Sequence, residues 1–382
     1  ETYPAKRFQM YAYFTHANVP SASITIDSSI DIQVPMAFQS ESSSKGLLNR
    51  WYIRHKSISE YHYMNIPAWS GETPSFYLAE LKQTLKRLKE KNSQGIYWEA
   101  SPAKFASLPF LWASNLYLIN NREVEDALLE FCNQMFGPAA ETVYELLHQM
   151  TNENTITLGG STADNYYKLP LFFKMLQQAS LQTMQSEDIV KQRINELKVY
   201  FHYMSLYYDC NFNQKINNLE RQSKTAELCI YLAKINKMQL VNSYYLITSL
   251  ISRFKSDNAF ISMYNVKTGT AYQNGNLSLI TPEQIEQDYQ QDISKYLNLV
   301  SEYNIQSQSF VAAKIAASNF IPAEKIQIKI GYSNGSNFPN RSVFGIQAKS
   351  KGSFSIQYTP RFDIPGLGYI NFTVEKTDKG LG

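Results

Sequence analysis

Ser93–Pro102, SQGIYWEASP, is the stretch whose reading decides the fold. Within it Gly95–Glu99 reads as a short strand. Upstream, Phe76–Lys91 places Leu78, Leu81, Leu85 and Leu88 on one stripe, with Lys82, Lys86, Lys89 and Lys91 off it. That is the 3.6-residue period of an amphipathic helix. Downstream, Leu108–Leu118, LPFLWASNLYL, reads as the start of a large helical region. The strand therefore marks where an α/β layer meets a helical body. It ends in Trp98-Glu99, and a carboxylate beside an indole at a strand's end is the best functional clue in the chain.

Towards the N-terminus, Arg7–Phe14, Ile30–Phe38 and Ile58–Tyr63 read as further strands, with Pro35 marking a bulge or a strand end. Gly46–His55 reads as a short helix, and Asn65–Pro74, NIPAWSGETP, as a loop holding Trp69. Strands alternating with helices imply βα units and a parallel sheet. A (β/α)8 barrel takes roughly 200 residues or more. The expectation is thus the second half of a barrel, its first half preceding Glu1, with a small open α/β sheet as the alternative. Both put functional groups at the carboxyl ends of the strands.

Beyond Leu108 the pattern is helical: Glu123–Met135, Ala139–Met150, Leu171–Gln185, Ser186–Tyr208, and a long segment Gln214–Tyr245 continuing towards Phe254. Near Ile321 it changes to alternation in Lys325–Ile330, Ser342–Ala348, Ser353–Tyr358 and Tyr369–Val374, the mark of an antiparallel unit. The expected fold class is multidomain, α/β plus α plus β. Residues 1–107 would form the partial barrel, 108–320 a helical domain and 321–382 a small β-sandwich-like domain.

Composition narrows the function classes. The 382 residues are 44% hydrophobic and 18% charged, and a net charge of +3 gives no basic footprint for a nucleic-acid partner. No run approaches a transmembrane helix. Cys132, Cys210 and Cys229 lie in apolar helical contexts with no paired spacing, so neither a disulfide framework nor a zinc site is expected. No phosphate loop, GxSxG elbow, HExxH or dinucleotide fingerprint occurs, and no cofactor or metal is expected. Aromatic residues make up 14%, with 27 tyrosines, whose flat apolar ring and hydroxyl suit stacking on sugars.

The order GIYWEA, then FLWASNLYLINNREVEDALLEFC, then Phe136-Gly137-Pro138-Ala139-Ala140, with Trp51, Tyr61, Tyr63 and the leucine-striped helix upstream, resembles a bacterial glycoside-hydrolase-like family, domain-of-unknown-function 4838. The resemblance covers roughly Trp51–Met150. It implies an α-glucuronidase-like barrel followed by helices, an oligosaccharide or polysaccharide partner, α-glucuronidase-like or hexosaminidase-like chemistry, and a periplasmic or secreted location. One departure is His62, where the family tends to carry a carboxylate between the two tyrosines. In α-glucuronidases the general acid is a glutamate on an earlier barrel strand that no segment here matches, so no catalytic residue is carried over.

Glycoside cleavage usually takes two carboxylates, about 5–5.5 Å apart for retention or about 6.5–9.5 Å for inversion. Glu99 is the candidate catalytic group; its structural alternative is a tether to Lys104 or a backbone amide. Glu60 is a weaker candidate, with burial beside an arginine as its alternative. His16, Tyr61, His62, Tyr63, Trp69 and Trp98 are the candidate substrate-binding residues, as hydrogen-bonding imidazoles and stacking walls. Asp27, Asp31 and Glu41 read as solvated. The expected function is a glycoside hydrolase, with a non-catalytic glycan-binding or scaffold protein as the alternative.

Overall fold

The computed structural model describes residues 8–36, 41–67, 71–74, 78–101, 103–151, 163–213, 216–254, 257–275 and 277–303, with short strand segments beyond residue 313. The chain divides into two units. The first holds residues 1–153, 157–166 and 175–290; the second holds 154–156, 167–174 and 291–382.

In the first unit, four strands form one parallel sheet: β1 (Phe8–Tyr11), β2 (Ile30–Pro35), β3 (Ile58–Met64) and β4 (Gly95–Ala100), in the order β1-β2-β3-β4. Ile32 lies beside Met10 and Ile58, and His62 beside Trp98. Helix α1 (Glu41–Arg54) joins β2 to β3, and α2 (Leu78–Glu90) precedes β4.

The apolar core explains this order. Ile32, Val34, Met36 and Ile58 are buried against Leu47, Leu48 and Trp51 of α1. The Trp51 indole N–H donates to the Ala17 carbonyl at 2.9 Å, which ties the segment after β1 to this helix, and just past the helix His55 Nε2 meets the Ile30 carbonyl of β2 at 2.7 Å. Helix α2 buries Leu78, Leu81, Leu85 and Leu88. It stops where Asn92 turns left-handed (φ 50°) and the Ser93 N–H reaches back to the Leu88 carbonyl.

After β4 the chain continues as α3 (Leu108–Asn120), α4 (Val124–Phe136), α5 (Ala140–Thr151), α6 (Ala163–Gln182), α7 (Asp188–Phe212), α8 (Asn218–Ile235), α9 (Ser243–Arg253), α10 (Asn258–Gln273) and α11 (Pro282–Tyr303). The single long helix expected over Gln214–Tyr245 is two. Gln239 adopts a left-handed conformation (φ 54°), and the Asn242 side chain caps α9 by accepting the Tyr245 N–H at 3.1 Å. In the second unit, Phe173 and Tyr296 stack at 4.7 Å. Ser353–Tyr358 there pairs antiparallel with Ile370–Thr377.

The expected fold class is corrected. The class is α/β, about 67% helix, with a four-stranded parallel sheet and, among the described residues, no barrel. The physical reason lies in the chain after β4. A helical hairpin, α3 against α4, follows β4 in place of a crossover to a fifth strand, so among the described residues β4 is an edge of the sheet. Barrel closure links strand number, tilt and stagger, and four strands do not supply it. Among the described residues the C-terminal strands pair antiparallel, and no separate β domain is shown. The described C-terminal strands share their unit with residues 167–174 and 291–303. The expected strand Lys325–Ile330 lies outside the described residues, as does most of Ser342–Ala348.

Candidate functional site

Side chains alternate across a strand, so the parallel register sorts the sheet by parity. Even-numbered side chains face α1 and α2. Odd-numbered side chains face the other way: Gln9, Tyr11 and Tyr13; Asp31 and Gln33; Ser57, Ser59, Tyr61 and Tyr63; Tyr97 and Glu99. A parallel sheet ordinarily presents apolar runs to helices on both faces. Here the odd face is polar and aromatic.

That face is concave. The Gln9 amide of β1 donates to the Tyr97 hydroxyl of β4, so side chains of the two edge strands meet across β2 and β3. Tyr11 and Tyr61 also meet across β2, edge to face at 5.6 Å, and Tyr61 and Tyr63 pack edge to face at 5.2 Å. The Tyr13 and Tyr63 hydroxyls share a hydrogen bond. At the carboxyl end, the Tyr61 hydroxyl donates to Glu99 Oε2 at 2.6 Å, and Glu99 itself is exposed. Burial, then the hydrogen bond to Glu99 and its charge, holds the Tyr61 phenol well above its ordinary range. Tyr61 therefore stays neutral and acts as a donor rather than a nucleophile.

Deeper on the same face, Asp31 is buried. It accepts from Ser57 at 3.3 Å and from Ser59 at 2.6 Å. This corrects the expectation that Asp31 is solvated: in the central strand its odd position turns it into the concave face. Gln33 is completely buried, and neither its amide nitrogen nor its amide oxygen has a hydrogen-bond partner. Asp27 is exposed and accepts from the Ser29 N–H and hydroxyl, which lower its pKa.

The even face is built differently. Glu60 is completely buried and bridged by Arg87 of α2, at 3.1 Å from Nε and 2.5 Å from Nη2. His62 Nε2 lies 2.9 Å from the same carboxylate. Burial alone would raise the Glu60 pKa, but the hydrogen bonds from His62 and Arg87 outweigh it and hold the carboxyl below its ordinary value. Trp98 packs beside His62 at 5.3 Å.

The structure thus divides the residues expected at the site. Glu99, Tyr61 and Tyr63 converge on the odd face. His62 and Trp98 sit on the even face with Glu60. His16 is exposed in the turn Phe14–His16 that follows β1. Trp69, and the side chain of Glu41, lie outside the described residues. Lys104, a possible tether for Glu99, pairs with Glu196 instead.

No protein-family model, curated protein or solved structure matches this chain. Among the described residues, no group of His, Cys, Asp and Glu side chains is placed to hold a metal ion, and no helix is long and apolar enough to cross a membrane.

Sequence reasoning missed the remaining members of the odd face. The available signal was polar alternation inside strands of a parallel sheet: Gln9-Tyr11-Tyr13, Asp31-Gln33 and Ser57-Ser59-Tyr61-Tyr63. It also missed Glu72, completely buried in a left-handed conformation (φ 61°) after left-handed Gly71. Tyr200 and Tyr203 of α7 donate to the Glu72 and Gly71 carbonyls, and Ser101 donates to the Glu72 carboxyl. Burial pushes this carboxyl up to about 7, against the hydrogen bonds from Ser101 and the Asn242 backbone.

Proposed function

We propose that this chain is a carbohydrate-binding protein that takes an oligosaccharide or polysaccharide on the concave odd face, at the carboxyl ends of β3 and β4. The observation that carries this reading is the exposed Glu99 carboxylate, held by the Tyr61 hydroxyl within a wall of edge-to-face tyrosines. Tyrosine rings offer flat apolar surface to the C–H faces of a sugar. Glu99 and the phenols supply acceptors and donors for its hydroxyls. Ligands of open parallel sheets bind beyond the carboxyl ends of the strands, which is where this group lies.

A non-catalytic role is favoured over glycoside hydrolysis by the placement of the carboxylates. Among the described residues Asp31 is the other carboxylate of the odd face. It lies beside Ser57, while Glu99 lies beside Tyr63. Six residues at about 3.3 Å each put them about 20 Å apart along the strands, beyond the spacing of either glycosidase geometry. Glu60 is on the opposite face and consumed by Arg87. The hydrolase reading, with the family resemblance and its periplasmic or secreted setting, stands second, on the exposure of Glu99.

The test is calorimetric titration with a panel of oligosaccharides, beside incubation with chromogenic glycosides that include glucuronides and hexosaminides. Binding without turnover is the expected result. Turnover that Glu99→Gln abolishes would transfer the conclusion to the hydrolase.

A further inference from the structure

Resting on carbohydrate binding at this face, we propose that the odd face selects a glycan carrying positive charge, an amino-sugar oligomer with free amines, over neutral or uronic-acid oligomers. The odd positions of β1–β4 contain no Lys, Arg or His. Glu99 is partnered by Tyr61, and Asp31 by Ser57 and Ser59, all neutral hydroxyls. Across the same sheet, Glu60 shows how this chain treats a carboxylate that is to be neutralised: it supplies a guanidinium. On the concave face no described cation plays that part, and Glu99 stands among the tyrosines Tyr61, Tyr63 and Tyr13. Carboxylate plus aromatic faces is the chemistry that recognises an ammonium group, by ion pairing and by attraction to the ring quadrupole.

A second, independent observation points to a ligand on this face. Gln33 is completely buried, and both its amide donor and its amide acceptor lack partners. Such a group is unfavourable in the unliganded protein. A sugar hydroxyl both gives and accepts a hydrogen bond and would satisfy it. Gln33 lies beside Tyr11 and Ser59, and Glu99 beside Tyr63, so the two are separated by about 13 Å along the strands, room for a short run of sugar rings. The Tyr11–Tyr61 contact crosses β2 beside Gln33, and Tyr11 is 51% exposed on an edge strand, free to turn outward as a ring enters.

The test uses the full chain and three tetramers of matched length: glucosamine, N-acetylglucosamine and galacturonic acid, titrated calorimetrically at low and high salt. The glucosamine tetramer is expected to bind about 10-fold or more tighter than the N-acetylated one, a margin that salt narrows. The galacturonate tetramer is expected not to bind. Glu99→Gln should erase most of the preference while leaving a neutral glycan bound. Gln33→Met should raise the melting temperature, because the unpaired amide is gone, and weaken all glycans alike. Equal affinity for the amine and its N-acetyl form, or a preference for the uronate, would overturn the charge selection and leave carbohydrate binding intact. Failure of all three tetramers and of the wider panel would overturn both.

Discussion

The two faces of the four-stranded sheet treat carboxylates in opposite ways. On the even face Glu60 is completely buried, yet its pKa is held below normal because Arg87 and His62 reach it. On the odd face Glu99 is exposed and Asp31 buried, and among the described residues neither meets a cation. The difference teaches which face is architecture. A buried ion pair beneath a helix locks α2 to β3, and removing one partner strands a charge. An exposed carboxylate held among tyrosines, with no described cation beside it, is a group kept ready for something outside the chain.

The largest effect should come from breaking the even face. Arg87→Ala leaves the Glu60 carboxylate buried and short of its cation, and should cost about 3–5 kcal/mol in urea denaturation. Glycan affinity, measured where the variant stays folded, should not change. A loss of affinity that tracks no loss of stability would mean that the faces are not separable.

Glu72 sharpens the same point, since it is buried without a cation. Its folded pKa is raised from 4.5 to about 7, so the neutral form is favoured on folding. The stability this confers is fully present below the unfolded value and is lost as pH rises through about 7. Across that window the change is on the order of 3 kcal/mol. Glu60, with its lowered pKa, works in the other direction and loses its contribution as pH falls below the ordinary carboxylate range. Denaturation at pH 5 and pH 8 should show greater stability at the lower pH from this group, and Glu72→Gln should flatten the difference. An unchanged pH dependence in that variant would assign the effect elsewhere.

His62→Ala should cost about 1.5–3 kcal/mol through its hydrogen bond to the Glu60 carboxylate, again without moving glycan affinity. A selective loss of binding would return His62 to the site. The smallest stability effect belongs to the odd face. Tyr61→Phe removes one exposed hydroxyl and should change stability by about 1 kcal/mol or less. It should nevertheless weaken glycan binding by about 10-fold, through loss of the group that orients Glu99. Retained affinity in Tyr61→Phe would leave the ring, and not its hydroxyl, as the contact.

Much of the scaffold was legible in the chain itself. The leucine stripe of Leu78, Leu81, Leu85 and Leu88 specifies α2, because a 3.6-residue period admits one buried face. Strand–helix alternation specifies parallel pairing, because a short turn cannot join parallel strands. Glu99, Tyr61 and Tyr63 were visible as strand-end polar and aromatic residues. What local pattern could not supply was the choice of face. His62 and Glu99 both look like site residues at strand ends, but one residue of parity sends them to opposite sides of the sheet. Which side the helices cover is decided by packing between segments far apart in sequence. The same holds for closure and for Glu72. No fifth strand follows β4 because a helical hairpin comes there instead, and Glu72 is buried by tyrosines of α7 about 130 residues along the chain. Periodicity is a local property and the sequence determines it directly. Burial, charge pairing and concavity depend on which distant surfaces meet, and the tertiary structure alone decided them.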